Sequence, residues 1–284
     1  MIRSILKAGF YAIYFPVSFV WRWLDRLASW GETRFWIDSI PNAIFTPATY
    51  SSYAGWIHNQ GFFCSLMSLY LEKPNPHIFD FGCGMGNLAP VAHHFVKRGG
   101  RYLGVDTDRV SIEACLKTHT RLTNCEFYRT RDHNPYYAQK DMSPLPADGI
   151  DWPIKERSQD LVIAMSVFTH LQELDAIRYL NKIHAVLADD GRAILSFHLV
   201  RDFTSASPTH NITQPLTPGW FTSHPACPEL AVGLIREALA KLLGGKLQVL
   251  KHIEGSITGG RHPSLQDIFV LQKIPTNGGT PSRA

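Results

Sequence analysis

The chain has 284 residues, of which 45% are hydrophobic and 18% are charged, and its formal net charge is +4 with a pI near 8.8. This length predicts one large domain with an accessory piece, and the composition excludes wholesale disorder. The Lys and Arg residues are scattered rather than gathered in a run, which disfavours nucleic acid as a substrate. Five cysteines without a Cys-x-x-Cys pair indicate reduced thiols of a cytoplasmic protein, not a disulfide framework or a zinc site.

Residues 1–30 differ from the rest of the chain. Residues 8–21, AGFYAIYFPVSFVW, are almost wholly apolar and aromatic, with Arg and Lys on both sides. The run is shorter than the about 20 residues of a spanning helix, Pro16 would kink it, and no cleavage site for a secretory signal follows. Two interpretations stay open: an anchor lying on a membrane surface, or a hydrophobic arm that covers the domain core or a partner subunit.

Residues 31–74 are predicted to form a helical cap segment, in which 61–71 suit a buried helix ended by two prolines. From residue 75 to about 275 strands and helices alternate. The predicted strands are HIFDF, RYLGVD, CEFYR, DLVIAM and RAILSFHLV, and the helices between them fall at 87–97, 110–116 and 171–187. For the third helix, Thr169 and Gln172 have capping-box spacing, and Gly191 is expected to follow its end.

The C-terminal part of this region breaks the alternation. A helix is predicted over 229–243, ended by Gly244 and Gly245, and two strands, KLQVLKHIE and QDIFVLQK, then form an antiparallel hairpin at the sheet edge. The predicted fold is therefore α/β: a doubly wound, Rossmann-like, mostly parallel seven-stranded sheet with an antiparallel last strand and an N-terminal helical extension. Residues 276–284 are predicted to be a flexible tail.

A glycine-rich turn follows the first strand. Its glycines permit a tight bend and close approach of the backbone to a ligand, and the helix that follows presents amide groups to anions. Asp106 ends the second strand about 20 residues on, where a carboxylate can grip ribose hydroxyls. The spacing is GxGxG rather than the GxGxxG of dinucleotide sites, which disfavours a nicotinamide-dependent oxidoreductase but leaves it open as an alternative.

The run DFGCGMG, with Asp106 in YLGVDTD, resembles motif I and the ribose-binding acid of the class I S-adenosylmethionine-dependent methyltransferases of bacterial small-molecule type. SQDLVIAMSVFTHL resembles the fourth-strand motif of that family, and LADDGR resembles its turn into the fifth strand, where Pro-Gly-Gly is more usual. The resemblance covers about residues 75–275 and implies S-adenosylmethionine as the cofactor. It implies cofactor contacts from Asp80, Gly82, Cys83, Gly84, Gly86, Asn87, Asp106, Thr107, Asp132, His133 and Ser166.

The acceptor side has four candidate residues. His170 follows the fourth strand and could act as a general base, and His198 ends the fifth strand on the same rim as a second candidate. Arg261 and His262 lie in a glycine-rich loop; proteins of the resembling family have an Arg near this point, which could bind an anionic acceptor. Each also has a structural interpretation, as a histidine of a helix start or strand end or as part of a solvated loop. No carboxylate cluster with metal-ligand spacing is present, so no metal is predicted.

The sequence therefore predicts methyl transfer to a small-molecule or glycan acceptor. Oxygen is the predicted site of methylation, because motifs for methylation of nitrogen or carbon are absent. A lipid-linked acceptor becomes the expectation if residues 1–30 contact a membrane. The remaining alternative is a non-catalytic protein that binds S-adenosylmethionine as a scaffold. The sequence makes no prediction of oligomeric state.

Overall fold

A computed structural model describes residues 53–130, 152–200, 212–259 and 266–274. The N-terminal arm, the tail and the domain boundaries near residues 30 and 275 lie outside the described residues. Within the described residues, no helix combines the length and the apolar character that crossing a membrane requires. What these ranges contain is a mixed sheet with helices on both of its faces.

Up to the fifth strand, the described helices and strands follow one another in the order that the sequence predicts. The helices are α1 (Tyr53–Tyr70), α2 (Ala89–Val96), α3 (Arg109–Thr118), α4 (Glu173–Val186) and α5 (Arg236–Leu243). The strands are β1 (His77–Phe81), β2 (Arg101–Asp106), β3 (Cys125–Arg129), β4 (Gln159–Ala164), β5 (Leu187–Leu199), β6 (Gln214–Thr217), β7 (Trp220–Thr222), β8 (Val232–Leu234), β9 (Leu247–Ile253) and β10 (Asp267–Lys273).

The sheet of the described residues has ten strands rather than the predicted seven, and within it the seven predicted strands are arranged as expected. Strands β3, β2, β1, β4 and β5 lie side by side in that order and are parallel, and β10 pairs with β5 in the antiparallel direction. Strand β9 pairs antiparallel with β10 as the predicted hairpin. All seven predicted strands, the mostly parallel sheet and the antiparallel last strand are therefore confirmed.

Two hydrophobic clusters bury the two faces of the sheet. Ile78 of β1 packs with α1 and α2, whereas its neighbours Phe79 and Phe81 pack with α4 and α5. Successive residues of a strand point to opposite faces, so a central strand covered on both sides is almost continuously apolar. This double burial fixes β1, and with it the position of the glycine-rich turn that follows β1.

The predicted helix in the cap segment is confirmed but begins earlier than expected. Helix α1 starts at Tyr53 rather than Gly61, and its 18 residues include no charged side chain. It buries Phe63, Leu66 and Met67 against the sheet and α2, and its Trp56 is buried as well. Gly61 lies inside the helix on its exposed side, where the lack of a side chain does not end the helix.

The predicted boundaries of α4 are wrong at both ends. The helix begins at Glu173, and neither Thr169 nor Gln172 forms the capping-box hydrogen bond; Thr169 lies in a separate 3-10 turn. At the other end the chain passes directly from Val186 into β5, so Gly191 lies within a strand and is not a helix stop. The apolar spacing over 171–187 predicts a buried face that includes Leu174, but Leu174 is 82% exposed, whereas Leu180 and Ile183 are buried as predicted.

Three short strands were not predicted. The segment expected to be helical from 229 forms a 3-10 turn, Pro228–Leu230, and then β8, and only its second half is helical as α5. Strand β8 pairs in parallel with the last residues of β5, and β7 and β6 extend the sheet from there. The predicted helix stop at Gly244 is confirmed, because this residue caps α5 with a positive φ of 28°.

Asp189 and Asp190 stand within β5 at the positions where the resembling family usually has Pro-Gly, and both form ion pairs. Asp190 accepts from Lys73 at 3.1 Å, and Lys73 also contacts Asp160 at 2.5 Å. Asp189 pairs with Arg157 and lies 3.8 Å from the buried Lys273 ammonium. The departure from the family sequence therefore lies at the amino ends of the strands, far along the sheet from the carboxyl-end cleft.

Candidate functional site

The glycine-rich loop after β1 is tied to the end of β2. The amide groups of Gly82 and Cys83 both donate to the Val105 carbonyl, at 2.8 and 3.0 Å, and the Gly84 amide donates to Oδ2 of Asp106 at 2.8 Å. These bonds hold the loop at the carboxyl ends of the parallel strands, which is where open α/β sheets bind their ligands.

The three predicted glycines have different surroundings. All three have positive φ values, of 75° at Gly82, 53° at Gly84 and 74° at Gly86, a conformation that disfavours other residues. A Cβ at Gly82 would lie 2.4 Å from Val167, and one at Gly86 would lie 2.6 Å from His119. A Cβ at Gly84 would meet no atom within 4 Å, so only Gly84 leaves open space that a ligand can approach.

The carboxylate of Asp106 organises the loop and retains binding capacity. Its Oδ2 accepts from Gly84, and its Oδ1 accepts from the Asp108 amide at 2.8 Å. A carboxylate has about four acceptor positions, so Asp106 keeps acceptor capacity for a ligand beside these amide donors. Burial raises the pKa of Asp106, against the opposing effect of these amide donors.

Asp80 lies beneath the loop instead of facing the cleft. It is 2% exposed, and the Tyr102 hydroxyl donates to its Oδ2 at 2.6 Å. Burial raises the pKa of Asp80 to about 7, and the Tyr102 hydrogen bond opposes that shift. In this position Asp80 supports the loop from below.

Cys83 and Asn87 also face protein atoms. Cys83 is buried, and both its thiol and that of Cys115 lie against the Gly84 carbonyl, at 3.5 and 3.3 Å. Burial raises the pKa of Cys83, which keeps it a neutral thiol. Asn87 accepts from the indole N–H of Trp56 at 2.8 Å through its side chain, and from Gln60 at 3.0 Å through its carbonyl.

Helix α1 is therefore part of the site's support, a role that sequence reasoning missed. The clue was present: Trp56 and Gln60 stand four residues apart and so share one face of a helix. Both are buried, at 3% and 5% exposure, although each carries a polar group that needs a partner. Asn87, at the end of the glycine run, satisfies a donor of each.

One described segment ends at Thr130, directly after β3. The Thr130 amide donates to the Asp106 carbonyl at 2.9 Å, while its buried hydroxyl has no hydrogen-bond partner among the described residues. An unsatisfied buried hydroxyl next to Asp106 fits a site that a polar ligand completes. Thr107 lies next to Asp106, and its carbonyl accepts from Arg129 at 3.3 Å. Asp132 and His133 lie outside the described residues.

The turn after β4 closes the other side of the loop. Val167 packs against Gly82, and Ser166 beside it is exposed with a positive φ of 57°. The Ser166 amide donates to the Ser196 hydroxyl of β5 at 2.8 Å. The predicted contact residue Ser166 thus lies between the glycine loop and the acceptor side.

His170 is held by the chain segment that follows β5. Its Nδ1 lies 2.7 Å from the carbonyl oxygen of Glu229, and the Glu229 carboxylate accepts from Gln172 at 2.5 Å. His198, on β5, is buried where that strand pairs with Gly233 of β8. The structure thus brings both histidines to the carboxyl end of the sheet, next to the three strands that were not predicted.

Arg261 and His262 lie outside the described residues. Among the residues that are described, no three His, Cys, Asp or Glu side chains gather in a way that would hold a metal ion. The five cysteines, all of which are described, are free thiols.

Comparison with known proteins agrees with this geometry. A family model described as a methyltransferase domain matches residues 56–230, more than half of the chain. The PH0226 protein of Pyrococcus horikoshii OT3 is structurally similar, with a TM-score of 0.53 and 16% identity over 81% of this chain and 95% of that one. This likeness shows a shared fold.

Two further solved structures have lower scores. The magnesium protoporphyrin IX methyltransferase of Synechocystis PCC 6803, solved with bound S-adenosylhomocysteine, has a TM-score of 0.48 and 18% identity over 96% of this chain and 100% of that one. Phosphoethanolamine N-methyltransferase 1 of Haemonchus contortus has a TM-score of 0.49 and 17% identity over 78% and 43%.

The family match decides between the two cofactors that the sequence left open. The nicotinamide alternative falls, and the resemblance to the S-adenosylmethionine-dependent enzymes is confirmed, with S-adenosylmethionine as the cofactor. Gly84 leaves open space, Asp106 has a carboxylate and Thr130 has an unsatisfied hydroxyl at the carboxyl end of the sheet, a combination that suits a polar ligand. The chain belongs to the class I S-adenosylmethionine-dependent methyltransferase family.

Proposed function

We propose that this protein methylates a hydroxyl oxygen of a small-molecule or glycan acceptor, with His170 as the general base. The observation that carries the proposal is the 2.7 Å contact between His170 Nδ1 and the carbonyl oxygen of Glu229. Because a carbonyl oxygen can only accept, Nδ1 carries the hydrogen in the neutral ring. The lone pair is then on Nε2, the atom through which such a histidine acts as a base.

A histidine placed as a general base favours an acceptor whose hydroxyl proton must be removed. S-adenosylmethionine supplies a methyl group that its sulfonium has already activated, so the protein contributes orientation and proton removal. An alcohol or phenol is a poor nucleophile until its proton is removed, whereas a carboxylate is already ionised. In the proposed transfer, His170 Nε2 accepts the hydroxyl proton while Nδ1–H keeps its bond to Glu229.

The proposed cofactor contacts are the residues that the sequence predicted, ordered by their places in the fold. Asp106 and Thr107 meet the ribose at the end of β2, and Asp132 and His133 meet the adenine after β3. Gly82, Gly84 and Gly86 shape the loop from which the backbone approaches the ligand, and Ser166 contacts the ligand from β4. Asp80, Cys83 and Asn87 act from below and beside that loop.

On the acceptor side, His198 and Arg261 remain proposed contributors.

We also propose a cytoplasmic location, consistent with five free thiols, and contact of residues 1–30 with a membrane surface. Under that arrangement the acceptor is lipid-linked. Vesicle flotation of the full chain and of a form lacking residues 1–30 tests the contact; equal partitioning would remove it.

The experiment for the reaction uses isotope-labelled S-adenosylmethionine and fractionated small-molecule and glycan extracts, with mass spectrometry of the labelled products. We expect a methyl ether that survives alkali, formed by the wild type. His170→Gln should lower the rate by about 100-fold or more, because general bases contribute about 10²–10⁴. His94→Gln, at an exposed position of α2, is the matched control.

The affinity for S-adenosylhomocysteine separates the outcomes. Under our proposal it is the same in wild type and His170→Gln, because His170 acts on the acceptor. Tight binding without a labelled product in any fraction would favour the non-catalytic scaffold. A label on nitrogen or carbon, or an alkali-labile methyl ester, would contradict the assignment to a hydroxyl.

A further inference from the structure

Ser166 is held in an unfavourable backbone conformation. A φ of 57° is disfavoured for a residue with a Cβ, and such residues cluster where function requires them. Ser166 is exposed at the carboxyl end of the sheet, two residues beyond the end of β4. Neighbouring side chains must therefore hold it there.

The holding group is a hydrogen-bonded chain from three strands. The Ser166 amide donates to Ser196 Oγ at 2.8 Å, and Ser196 Oγ lies 2.6 Å from Oε1 of Gln266, which precedes β10. A backbone N–H can only donate and an amide oxygen can only accept, so the Ser196 hydroxyl hydrogen points to Gln266. Ser196 is fully buried, so the direction of donation along this row of hydrogen bonds is fixed.

That direction decides how Gln266 meets Ser166. With Oε1 turned to Ser196, Nε2 lies 2.8 Å from Ser166 Oγ, closer than the 3.1 Å between Ser166 Oγ and Oε1. The amide of Gln266 therefore donates to the Ser166 hydroxyl oxygen. A hydroxyl has one hydrogen and two lone pairs, so Ser166 can still give its hydrogen to a group in the cleft.

The strand order identifies which part of the cofactor Ser166 meets. The strands lie in the order β3, β2, β1, β4, and the ribose is placed by Asp106 at the end of β2. With the adenine on the β3 side, the amino-acid end of the cofactor extends toward β1 and β4. The group there that accepts a hydrogen bond most strongly is the carboxylate.

We infer that Gln266 is a positioning residue of the cofactor site, which orients Ser166 so that its hydroxyl donates to the methionyl carboxylate of the cofactor. The inference rests on the proposed cofactor placement. Gln266 does not itself touch the ligand in this arrangement. It acts through Ser196, which fixes the Ser166 backbone, and through its amide, which fixes the polarity of the Ser166 hydroxyl.

The test compares two ligands that differ in the methionyl group. S-adenosylhomocysteine carries the carboxylate, whereas 5′-methylthioadenosine shares the nucleoside and thioether but lacks the amino-acid part. Calorimetric titration of both is made with wild type, Ser166→Gly, Gln266→Leu and the double variant. Glycine suits a φ of 57° and removes only the hydroxymethyl group. Gln272→Leu, at the far end of β10, is the matched control.

We expect Ser166→Gly and Gln266→Leu each to weaken S-adenosylhomocysteine binding about 10-fold, as loss of a hydrogen bond to a charged group does, with methylthioadenosine binding within about twofold of wild type. The double variant should bind as the single variants do, since the two residues act in one chain. Gln272→Leu should change neither affinity.

Two results would overturn the inference. Unchanged S-adenosylhomocysteine affinity in Ser166→Gly removes the contact, and this variant decides the question even if Gln266→Leu fails to fold. If Gln266→Leu lowers the affinity for both ligands equally, Gln266 has only a structural role. Failure of the proposed function is distinct: wild type then binds both ligands but methylates no acceptor.

Discussion

The cofactor half and the acceptor half of the site are built over very different distances in sequence. In the cofactor half, the bonds from Gly84 to Asp106 and from Tyr102 to Asp80 each join residues 22 positions apart. In the acceptor half, His170 and Gln172 meet Glu229 across 59 and 57 positions. The glycine loop and Asp106 are therefore fixed within one βαβ unit, and the acceptor half depends on assembly of distant segments.

The largest expected effect separates two glycines of the cofactor half. Gly86→Ala should lower the free energy of unfolding by about 3 kcal/mol, since it combines left-handed strain with a Cβ 2.6 Å from His119 and 3.0 Å from Phe127. Urea denaturation measures this. An unchanged free energy of unfolding in Gly86→Ala would contradict the account that local geometry fixes the cofactor half.

Gly84→Ala is the matched control, with the same substitution in the same loop. Its φ of 53° costs about 1–2 kcal/mol, but the new Cβ meets no protein atom within 4 Å. We expect Gly84→Ala to lose less stability than Gly86→Ala does. We also expect it to lose more S-adenosylhomocysteine affinity than its own loss of stability would explain. The reverse pattern would mean that the space beside Gly84 is not the ligand's.

In the acceptor half, the bond from Gln172 to Glu229 offers the corresponding test. Gln172→Leu would leave a buried carboxylate without this donor, at a cost of about 1–3 kcal/mol. Hydrogen exchange should become faster in β6–β8, while S-adenosylhomocysteine affinity stays unchanged. Gln248→Leu, at an exposed position of β9, is the control. Slow exchange in β6–β8 of Gln172→Leu would show that this segment holds its place without the long-range bond.

The buried Asp80 predicts a pH dependence of stability. Its pKa is about 7 in the folded protein and about 3.9 when unfolded, so between these values the folded state holds a proton that the unfolded state has released. Stability from this group is thus greatest below pH 4 and is lost as the pH rises to 7, with a slope of about −1.4 kcal/mol per pH unit.

Denaturation at pH 5, 5.5, 6 and 6.5 measures that slope as the difference between wild type and Asp80→Asn, which does not titrate there. The difference in free energy of unfolding should fall by about 1.4 kcal/mol for each pH unit. A difference that stays constant across this range would show that Asp80 is ionised in the folded protein.

The contrast between the halves explains what the sequence could predict. A strand covered on both faces and a turn that requires positive φ leave direct patterns, so β1, β2, β4, β5 and the loop from Gly82 to Gly86 were predicted. The segment 229–243 has helical apolar spacing throughout, but pairing of β8 with β5 overrides it in the first part. Capping at Thr169 failed for a similar reason, since Gln172 is held by Glu229 instead.

The missed site residues share one property. Trp56, Gln60 and Gln266 are polar or amphipathic side chains whose partners lie 27 to 100 positions away, and no local pattern indicates such partners. Buried polar groups need hydrogen-bond partners. Which residues are those partners can be seen only in the three-dimensional structure.

The most direct test of the account is the affinity of S-adenosylhomocysteine for wild type and Asp106→Asn, measured by calorimetry with NAD as the competing ligand. We predict that wild type binds S-adenosylhomocysteine and not NAD, and that Asp106→Asn binds it about 10-fold or more weakly, because the amide loses charge and one acceptor oxygen. Undiminished affinity in Asp106→Asn, or binding of NAD alone by wild type, would contradict the assignment of this cleft as the cofactor site.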